Sequence, residues 1–391
     1  MKKLISLTLA AAMTMSLLAG CGSNSSAGTD SADASAETFK IGGIGPITGA
    51  GAVYGIAVKN GAELAIKEIN EAGGINGYQI EYNFQDDELD NEKSVNAYNT
   101  LKDWGMNMLV GSVTSGCCVA VAAESKNDNM FQITPSGSSV DCIEGNDNVF
   151  QVCFTDPNQG VGAADYIGGN NLASKVAVIY DSSDVYSSGI YAKFKEEAAT
   201  QNFEIVSEEA FTADNKTDFS VQLAKAQEAG AELVFLPIYY TEASLILKQA
   251  DSMGYAPKFF GCDGLDGILG VENFDTSLAE GVMLLTPFAA DAQDDLTKKF
   301  VSAYETAYND TPNQFAADAY DAVYAIKAAA EKGDVAPSDG VSGICDKMKA
   351  AMQEITVDGL TGEGMNWAAD GTVNKAPKAM EIKNGAYALV Q

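Results

Sequence analysis

The sequence of 391 residues predicts an α/β protein with two doubly wound, Rossmann-like lobes, joined by a hinge that the chain crosses several times. Short apolar runs alternate with longer stretches whose apolar residues recur at helical spacing, the pattern of parallel sheets covered by helices on both faces. The strands before residue 290 are too many for a single sheet. After that residue the chain is mainly helical, yet it ends in two more strands, so it returns to a lobe that it had left.

The first 20 residues are predicted to form a secretory signal peptide. Two lysines precede the apolar run Leu4–Leu18, and small residues stand just before Cys21. The run is shorter than the ~20 apolar residues that span a bilayer, although a plain signal peptide and a short membrane anchor are alternatives. The cysteine at the cleavage point resembles the lipobox of bacterial lipoproteins, in which this residue is acylated.

The resemblance implies that the protein is extracytoplasmic and is lipid-anchored to the outer face of the cell membrane through Cys21. Residues 21–37 are then the lipidated cysteine and a flexible tether, because they are rich in Ser, Ala, Gly and Asp and lack large apolar side chains. Such a segment buries no core, so the folded part is predicted to begin near residue 38.

The first lobe is predicted to begin with a strand, a glycine-rich turn and a long helix that stops at Gly73-Gly74. Its strands are predicted at 39–44, 79–84, 106–110 and 130–133, and its helices at 53–72, 91–104 and 117–127. After Asp156-Pro157 the second lobe is predicted to follow the same alternation. Its helices are predicted up to 168 and at 188–200, 218–229 and 242–253, and its strands at 175–180, 204–208, 233–236 and 258–261.

The last hundred residues supply the return crossings. Helices are predicted at 294–308, 315–332 and 342–354, and strands at 379–382 and 387–390 around the turn Asn384-Gly385. The predicted lobe boundaries are 38–156 plus 287–362 for the first lobe, and 157–286 plus 363–391 for the second. A hinge between two such lobes creates a cleft.

Composition excludes several classes of function. The chain has 54 acidic residues against 24 lysines, with no arginine and no histidine, so a phosphate backbone is repelled and nucleic acid is not an expected partner. Without histidine there is no Ser-His-Asp triad and no histidine-ligated metal. No metal and no cofactor are therefore expected. An anion must be bound by backbone N–H groups, hydroxyls or lysines.

Seven cysteines are present, and Cys21 accounts for one of them. The even number that remains is compatible with disulfides in an exported protein, and the absence of a repeated CxxC pair argues against a zinc site. The pairing is left open, with Cys117 or Cys118 to Cys142 as one possibility and a fully reduced protein as another.

Two loops at predicted strand ends could receive an anion. Both 111–116 and 134–139 are rich in Gly, Ser and Thr, and the first of them leads into a helix whose N-terminus favours negative charge. Ordinary helix capping by Ser115 and Ser139 is the simpler reading of either loop alone. Strand ends of the second lobe instead offer 181–186, Tyr239-Tyr240 and Asp263, where aromatic rings stand beside a carboxylate. The two walls together suit a zwitterion with an apolar side chain.

The chain resembles the leucine/isoleucine/valine-binding family of solute receptors for ABC transporters, which has the type I periplasmic binding protein fold. The resemblance runs from about residue 39 to the C-terminus. It rests on the order and spacing of six motifs, namely 44–49 (IGPITG), 70–77 (NEAGGING), 85–87 (QDD), 111–115 (GSVTS), 134–136 (TPS) and 261–264 (GCDG).

The resemblance implies a role for each matching residue. Ser115 and Ser138, with backbone at Thr114 and Ser136 and with Gly137 in the same loop, would hold the α-carboxylate of an amino acid. Asp263 would hold its α-ammonium group. The walls would be lined by Tyr54, Tyr186, Tyr239 and Phe315. The family usually has Glu at Asp263 and Thr at Ser138, and these departures affect the size of ligand that fits.

The resemblance implies an ABC importer receptor for a neutral amino acid, branched-chain or aromatic, that closes its lobes on the ligand and is a monomer with a permease as its partner. A receptor for amides or another small solute is an alternative, although a neutral ligand needs no buried carboxylate. A sensory protein that presents its ligand to a receptor is another. An enzyme is not expected, because a serine or cysteine nucleophile would lack a histidine base.

Overall fold

The structure, a computed structural model, describes residues 37–390. The predicted signal peptide, Cys21 and the tether up to residue 36 lie outside the described residues. Within 37–390 the chain forms two sheets covered by helices, which confirms the predicted α/β class and its two lobes. None of the helices in this range is long and apolar enough to cross a membrane.

The first sheet has five parallel strands in the order β2-β1-β3-β4-β5. They are β1 (Phe39–Gly45), β2 (Ile80–Asp86), β3 (Met108–Gly111), β4 (Phe131–Thr134) and β5 (Val149–Gln151). The connecting helices are α1 (Ala52–Glu71), α2 (Asn91–Trp104) and α3 (Ser115–Asp128). In this order the chain winds outward in both directions from β1 and β3, and ligands meet such sheets where these two strands end.

The second sheet repeats the arrangement. Its order is β12-β11-β10-β9-β8-β6-β7, in which β7-β6-β8-β9-β10 is parallel and matches the first sheet strand for strand. The strands are β6 (Lys175–Asp181), β7 (Glu204–Phe211), β8 (Leu233–Leu236), β9 (Lys258–Gly261), β10 (Met283–Thr286), β11 (Lys378–Lys383) and β12 (Ala386–Leu389). The helices are α4 (Asp156–Gly169), α5 (Val185–Ala198), α6 (Ser220–Glu228) and α7 (Tyr240–Ser252). The final hairpin, β11 and β12, adds two antiparallel strands at β10.

Three helices after β10 carry the chain back to the first sheet. They are α8 (Asp295–Tyr308), α9 (Gln314–Lys332) and α10 (Gly340–Met352). The α9 helix packs along α1, where the Tyr320 hydroxyl donates to Glu68 Oε2 at 2.7 Å. The return crossings that the sequence predicts are therefore present. Strands β5 and β10 were not predicted, because each is a buried run of three or four residues without periodicity.

The segment between α10 and β11 forms hydrogen bonds with the first sheet. Residues from 363 onward were assigned to the second lobe, yet Trp367 Nε1 donates to the Gln151 carbonyl of β5 at 2.7 Å. The Gln151 N–H donates in turn to the Gly371 carbonyl at 2.9 Å. These bonds extend the edge of the first sheet, so we propose that the second lobe resumes only at β11. The other predicted boundaries stay a proposal.

Five of the ten α-helices within residues 37–390 begin where the sequence supplies a capping side chain. Asp90 Oδ1 accepts from the Lys93 N–H at 2.9 Å at the start of α2, and Asp184 Oδ1 accepts from the Ser187 N–H at 3.0 Å at the start of α5. The α3 helix differs, because Thr114 stands at its N-cap and makes no side-chain capping bond. The N-terminus of α3 therefore has no side-chain oxygen covering it, at the edge where β3 ends.

Candidate functional site

A small cavity lies where the carboxyl ends of the two sheets face each other. Eight of the ten predicted site residues line it. The complete lining is Tyr54, Val113, Thr114, Ser115, Ser136, Tyr186, Tyr239, Asp263, Gly264 and Phe315. Each sheet contributes at the point where its strand order reverses, since Thr114 follows β3 and Tyr239 follows β8. The structure thus brings together residues that are as far apart in the chain as Tyr54 and Phe315.

The wall from the first sheet offers N–H groups and hydroxyls. Ser115 is the first residue of α3, and the N–H groups in the first turn of a helix have no intrahelical acceptor. The Thr114 hydroxyl is buried and has no hydrogen-bond partner among the described residues. Ser115 Oγ accepts from the Ser139 N–H at 3.2 Å and keeps its own proton available to donate. This wall can receive an anion, although it carries no full positive charge.

The second loop of this wall is held by its own hydroxyls. Thr134 Oγ1 donates to the Ser112 carbonyl at 2.7 Å, and Ser136 Oγ donates to the Val113 carbonyl at 2.6 Å. These bonds fix the loop after β4 against the loop after β3. The side chain of Ser136 is therefore occupied in joining the two loops, and its backbone N–H donates to Thr134 Oγ1 at 3.4 Å.

Gly137 was predicted to contact the ligand, but the structure places it outside the cavity lining. Its N–H donates to Thr134 Oγ1 at 2.7 Å, so it is not available to a ligand, and Gly137 does not line the cavity. A Cβ at this position would lie 2.8 Å from the Cβ of Cys118. Glycine is needed here because α3 packs against the loop. Ser138 also lies outside the lining, and its wholly buried hydroxyl has no partner among the described residues.

Asp263, which follows β9, is the carboxylate of the opposite wall. Its Oδ1 accepts from the Tyr186 hydroxyl at 2.7 Å, and its backbone N–H donates to Gln159 Oε1 at 3.1 Å. Its carbonyl accepts from Gln314 Nε2 at 3.0 Å. Burial raises the pKa of Asp263 to about 7, against the opposing effect of the hydrogen bonds from Tyr186 and Gln159. A cation beside Asp263 would favour the ionised form.

Gly264 completes this wall by its lack of a side chain. Its N–H donates to the Tyr186 hydroxyl at 2.9 Å, and a Cβ on Gly264 would lie 2.6 Å from that oxygen. The Tyr186 hydroxyl therefore accepts from Gly264 and donates to Asp263, which fixes the orientation of the carboxylate. No residue other than glycine fits at this position without moving Tyr186.

Aromatic rings fill the space between the two walls. Tyr186 stacks on Tyr239 with 4.9 Å between ring centroids, and Tyr54 packs on Phe315 at 4.5 Å. Tyr240, which the sequence analysis did not assign to the site, packs on Tyr54 at 4.6 Å. These contacts give the cavity an apolar surface beside its polar groups, and the stacked pairs hold the rings in place.

The two lobes touch directly beside the cavity. The Tyr54 hydroxyl of α1 donates to the Gly264 carbonyl and accepts from the Tyr240 N–H, the latter at 3.1 Å. Nearby, Thr241 Oγ1 donates to the Ala50 carbonyl at 2.8 Å. These bonds join the N-terminal end of α1 to the N-terminal end of α7. The lobes are therefore closed on this side of the cleft.

A wider opening of about 1300 Å³ leads from the cavity to the surface and shares Thr114, Tyr186 and Tyr239 with it. Its acidic side chains come from both lobes and are Asp90, Glu92, Asp181, Asp184 and Glu242. Lys216 lies 3.4 Å from Glu242. Burial raises the pKa of Asp184 to about 6 and raises that of Glu242. The mouth of the cleft is thus negatively charged at neutral pH.

Several residues around the site were not predicted. Val113 and Gly264 stand next to predicted residues, and their neighbours were the only signal for them. Gln159 and Gln314 contact Asp263 from α4 and α9, which are distant in sequence. Only the tertiary fold brings these two amides to the backbone of Asp263.

The six cysteines in the described part of the chain are all buried and unpaired. Cys142 Sγ lies 3.7 Å from the Ser115 carbonyl, and Cys118 packs under Gly137. The possible bridge from Cys117 or Cys118 to Cys142 is absent from the structure. These thiols act as small apolar side chains beneath the anion-receiving loops.

Comparisons with known proteins agree with the geometry. A family model described as periplasmic binding protein matches residues 38–386. "Leu/Ile/Val-binding protein homolog 3" of Brucella melitensis is 33% identical over 308 residues, covering 77% of this chain and 81% of that protein. The "leucine-, isoleucine-, valine-, threonine-, and alanine-binding protein" of Pseudomonas aeruginosa is 30% identical over 317 residues, covering 81% of this chain and 84% of that protein.

Among solved structures, the branched-chain amino acid transporter substrate-binding protein LivJ of Streptococcus pneumoniae, in complex with isoleucine, is similar with a TM-score of 0.81. It is 30% identical in sequence, and the similarity covers 90% of this chain and 98% of that one. The similarity therefore extends over both lobes and the crossings between them.

Proposed function

The chain belongs to the leucine/isoleucine/valine-binding family of periplasmic binding proteins, and we propose on that basis that it binds a neutral amino acid between its lobes and delivers it to an ABC importer. The family is extracytoplasmic and consists of substrate-binding proteins of transporters, not enzymes. A branched-chain amino acid is the ligand that we favour, with an aromatic amino acid as the larger alternative.

One observation carries this proposal. The unpartnered Thr114 hydroxyl and a helix N-terminus without a side-chain cap face the buried Asp263 carboxylate across a small cavity with aromatic walls. The opposed groups match the two charges of an α-amino acid, and the rings match an apolar side chain. A ligand with only one of these charges would leave one wall without a partner, at a cost of about 1–3 kcal/mol for each buried group.

The α-carboxylate would be held by Ser115, Ser138 and the N–H groups that begin α3, with backbone at Thr114 and Ser136. Asp263 would hold the α-ammonium group, and the side chain would lie among Tyr54, Tyr186, Tyr239 and Phe315. Charge-assisted hydrogen bonds of this kind contribute about 1.5–3 kcal/mol each. The ligand would replace the missing partners of the buried hydroxyls.

The charge of the site supports a ligand with a neutral side chain. The mouth of the cleft contains five carboxylates and the chain has no arginine, so an acidic side chain meets repulsion and has no guanidinium to bind it. The relatives described above are named for binding leucine, isoleucine, valine, threonine and alanine, or were solved with isoleucine bound. These are neutral amino acids of small or moderate size.

The binding experiment is a thermal shift and calorimetric screen of the protein without its first 20 residues against the twenty amino acids and simple amides. A ligand at a thousand times its dissociation constant adds about 4 kcal/mol of stability, which raises Tm measurably. We expect isoleucine, leucine or valine to give the largest shift, and aspartate and glutamate to give none. Response to amides alone would favour the amide receptor, and no response to any amino acid would refute the proposal.

Anchoring through a lipid at Cys21 is the second part of the proposal. It rests on the apolar run and the small residues before that cysteine. A monomer tethered in this way could present its closed form to a permease in the same membrane. Replacement C21S should move the protein from the membrane fraction to the medium without changing ligand affinity. Membrane association that survives C21S would refute the lipid anchor.

A further inference from the structure

Asp156 is a buried acid next to the site that the proposed roles leave unused. It is the first residue of α4, where the chain passes from β5 of the first sheet to β6 of the second. Its side chain is 1% exposed, and neither carboxyl oxygen has a hydrogen-bond partner within residues 37–390. An unpartnered carboxyl group at this depth calls for a physical explanation.

The surroundings of Asp156 offer it no positive charge. None of the ion pairs among the described residues includes it. The titratable groups that face it from neighbouring elements are acids, thiols and one phenol, namely Asp141, Asp184, Asp263, Cys142, Cys153, Cys262 and Tyr239. Burial and the nearby carboxylates raise the pKa of Asp156 well above its usual range. A charged form would be buried without a partner, so burial favours the neutral form.

Ser138 is the polar side chain beside this acid. The Asp156 N–H donates to the Ser138 carbonyl at 2.9 Å, and the Ser138 hydroxyl acts on the pKa of the Asp156 carboxyl group, lowering it. The Ser138 side chain is 0% exposed and its hydroxyl forms no hydrogen bond that the structure describes. On the far side, a Cβ on Gly189 would lie 3.3 Å from Asp156 Oδ2, so α5 leaves the carboxyl group little room to move away.

The hydroxyl of Ser138 has one proton, and the state of Asp156 decides where that proton points. An ionised Asp156 would accept it and turn the hydroxyl away from the cavity. A protonated Asp156 would itself donate to Ser138 Oγ and leave the serine proton for an anion on the other side. A ligand carboxylate near Ser138 would also repel an ionised neighbour.

We propose that, once an amino acid is bound, Asp156 is a protonated positioning residue that donates to Ser138 Oγ and so directs the Ser138 hydroxyl toward the carboxylate of the ligand. The inference rests on the proposed function, because it assigns a partner to the ligand carboxylate. It differs from the role of Asp263, which binds the ammonium group as an anion. The two buried acids of the site therefore work in opposite protonation states.

Four variants test the inference by calorimetry with isoleucine. D156N keeps a donor of the same shape, so its affinity should stay within about threefold of the wild type, with an unchanged pH profile. D156A and S138A should each weaken binding by about tenfold, the value of one hydrogen bond to a charged group. When Ser138 is already replaced in S138A, adding D156A should weaken binding by less than about twofold further, because the effect of Asp156 acts through the serine.

D141N is the matched control, since it makes the same change at an exposed neighbouring acid and should leave affinity unchanged. Affinity of D156N as weak as that of D156A would show that the ligand needs a charge at Asp156 and would overturn the inference. Additive losses in the double variant D156A/S138A would also overturn it. A wild-type protein that binds no amino acid refutes the proposed function, and the inference with it. If the wild type does bind an amino acid, the contrary variant results refute the inference alone. Tm of each variant reports folding separately.

Discussion

The wall that the first sheet contributes to the cleft and the wall from the second sheet occupy equivalent strand ends of the same topology, yet they offer a ligand different groups. The first wall has the start of α3 and the hydroxyls of Thr114 and Ser115, with no full charge. The second has the Asp263 carboxylate, fixed by Tyr186, and stacked aromatic rings. Oriented dipoles and hydroxyls thus face a formal charge.

The difference follows from how each kind of charge is stabilised when buried. An anion can be held by backbone N–H groups and a helix N-terminus, so a chain without arginine and histidine can still bind one. A buried cation needs acceptors with negative charge, and a carboxylate supplies it. The second wall should therefore contribute more to affinity than any single group of the first.

The largest effect is expected at Asp263. Replacement D263A should weaken isoleucine binding by about 100-fold, because the ammonium group would be buried without its counter-charge. The matched control is D266N, which removes a buried acid three residues away that does not line the cavity. It should change affinity by less than about threefold. Equal losses in the two variants, measured by calorimetry, would remove the distinction between the walls.

The pH dependence of binding should follow the same carboxylate. Since the pKa of Asp263 in the empty protein is raised to about 7, the protonated form accumulates below that pH and must lose its proton to bind an ammonium group. Affinity should therefore fall by about tenfold for each pH unit below about 7. The stability of the empty protein changes with pH in the opposite direction. Because the pKa of Asp263 is higher in the folded protein than in the unfolded chain, protonation of Asp263 stabilises the folded protein at low pH. This contribution is lost as pH rises through about 7.

Titration calorimetry between pH 5 and pH 8 checks the affinity, and thermal denaturation of the empty protein over the same range checks the stability. Asp87, Asp184 and Asp318 have pKa values raised to about 6 by burial, so they add to the loss of stability between pH 5 and pH 8. Affinity that does not change with pH would mean that Asp263 is already ionised in the empty protein.

Smaller losses are expected on the first wall. S115A should weaken binding by about tenfold, because one hydrogen bond to the carboxylate is lost while the N–H groups of α3 remain. S136A is the matched control, since that hydroxyl donates to the Val113 carbonyl at 2.6 Å. It should lower the free energy of unfolding by about 1 kcal/mol and change affinity little. A loss for S136A larger than that for S115A would contradict the assignment of the two serines.

The smallest effects should separate two tyrosines. Y54F removes a hydroxyl that bonds to Gly264 and Tyr240 across the cleft, so closure weakens and affinity should fall by about fivefold. Y239F removes a hydroxyl without a partner in the described chain, so affinity should stay within about twofold. Calorimetry on both variants tests whether contacts between the walls, in addition to contacts with the ligand, hold the cleft closed.

The sequence predicted those parts of the molecule that have periodicity or a motif. The helix at 91–104 and the strands at 233–236 and 258–261 have the bounds that were predicted from apolar spacing. Loop motifs identified Ser115 and Asp263. Strands β5 and β10 were missed because short buried strands have no alternation to read.

Tertiary contacts account for the rest of the site. Gln159, Gln314 and Tyr240 reach Asp263 and Tyr54 only because α4, α9 and α7 converge on the cleft. The role of Gly137 could not be read from its motif, because its N–H is taken by Thr134 within the same loop. The unpartnered state of Asp156 likewise depends on which elements surround it.

The orientation of a bound amino acid tests the difference between the walls most directly. A crystal structure of the protein with isoleucine should show the carboxylate at Ser115 and the N-terminus of α3, and the ammonium nitrogen within hydrogen-bond distance of Asp263. The side chain should lie among the aromatic rings. Isoleucine bound in the reverse orientation, or outside this cavity, would contradict the assignment of the two walls.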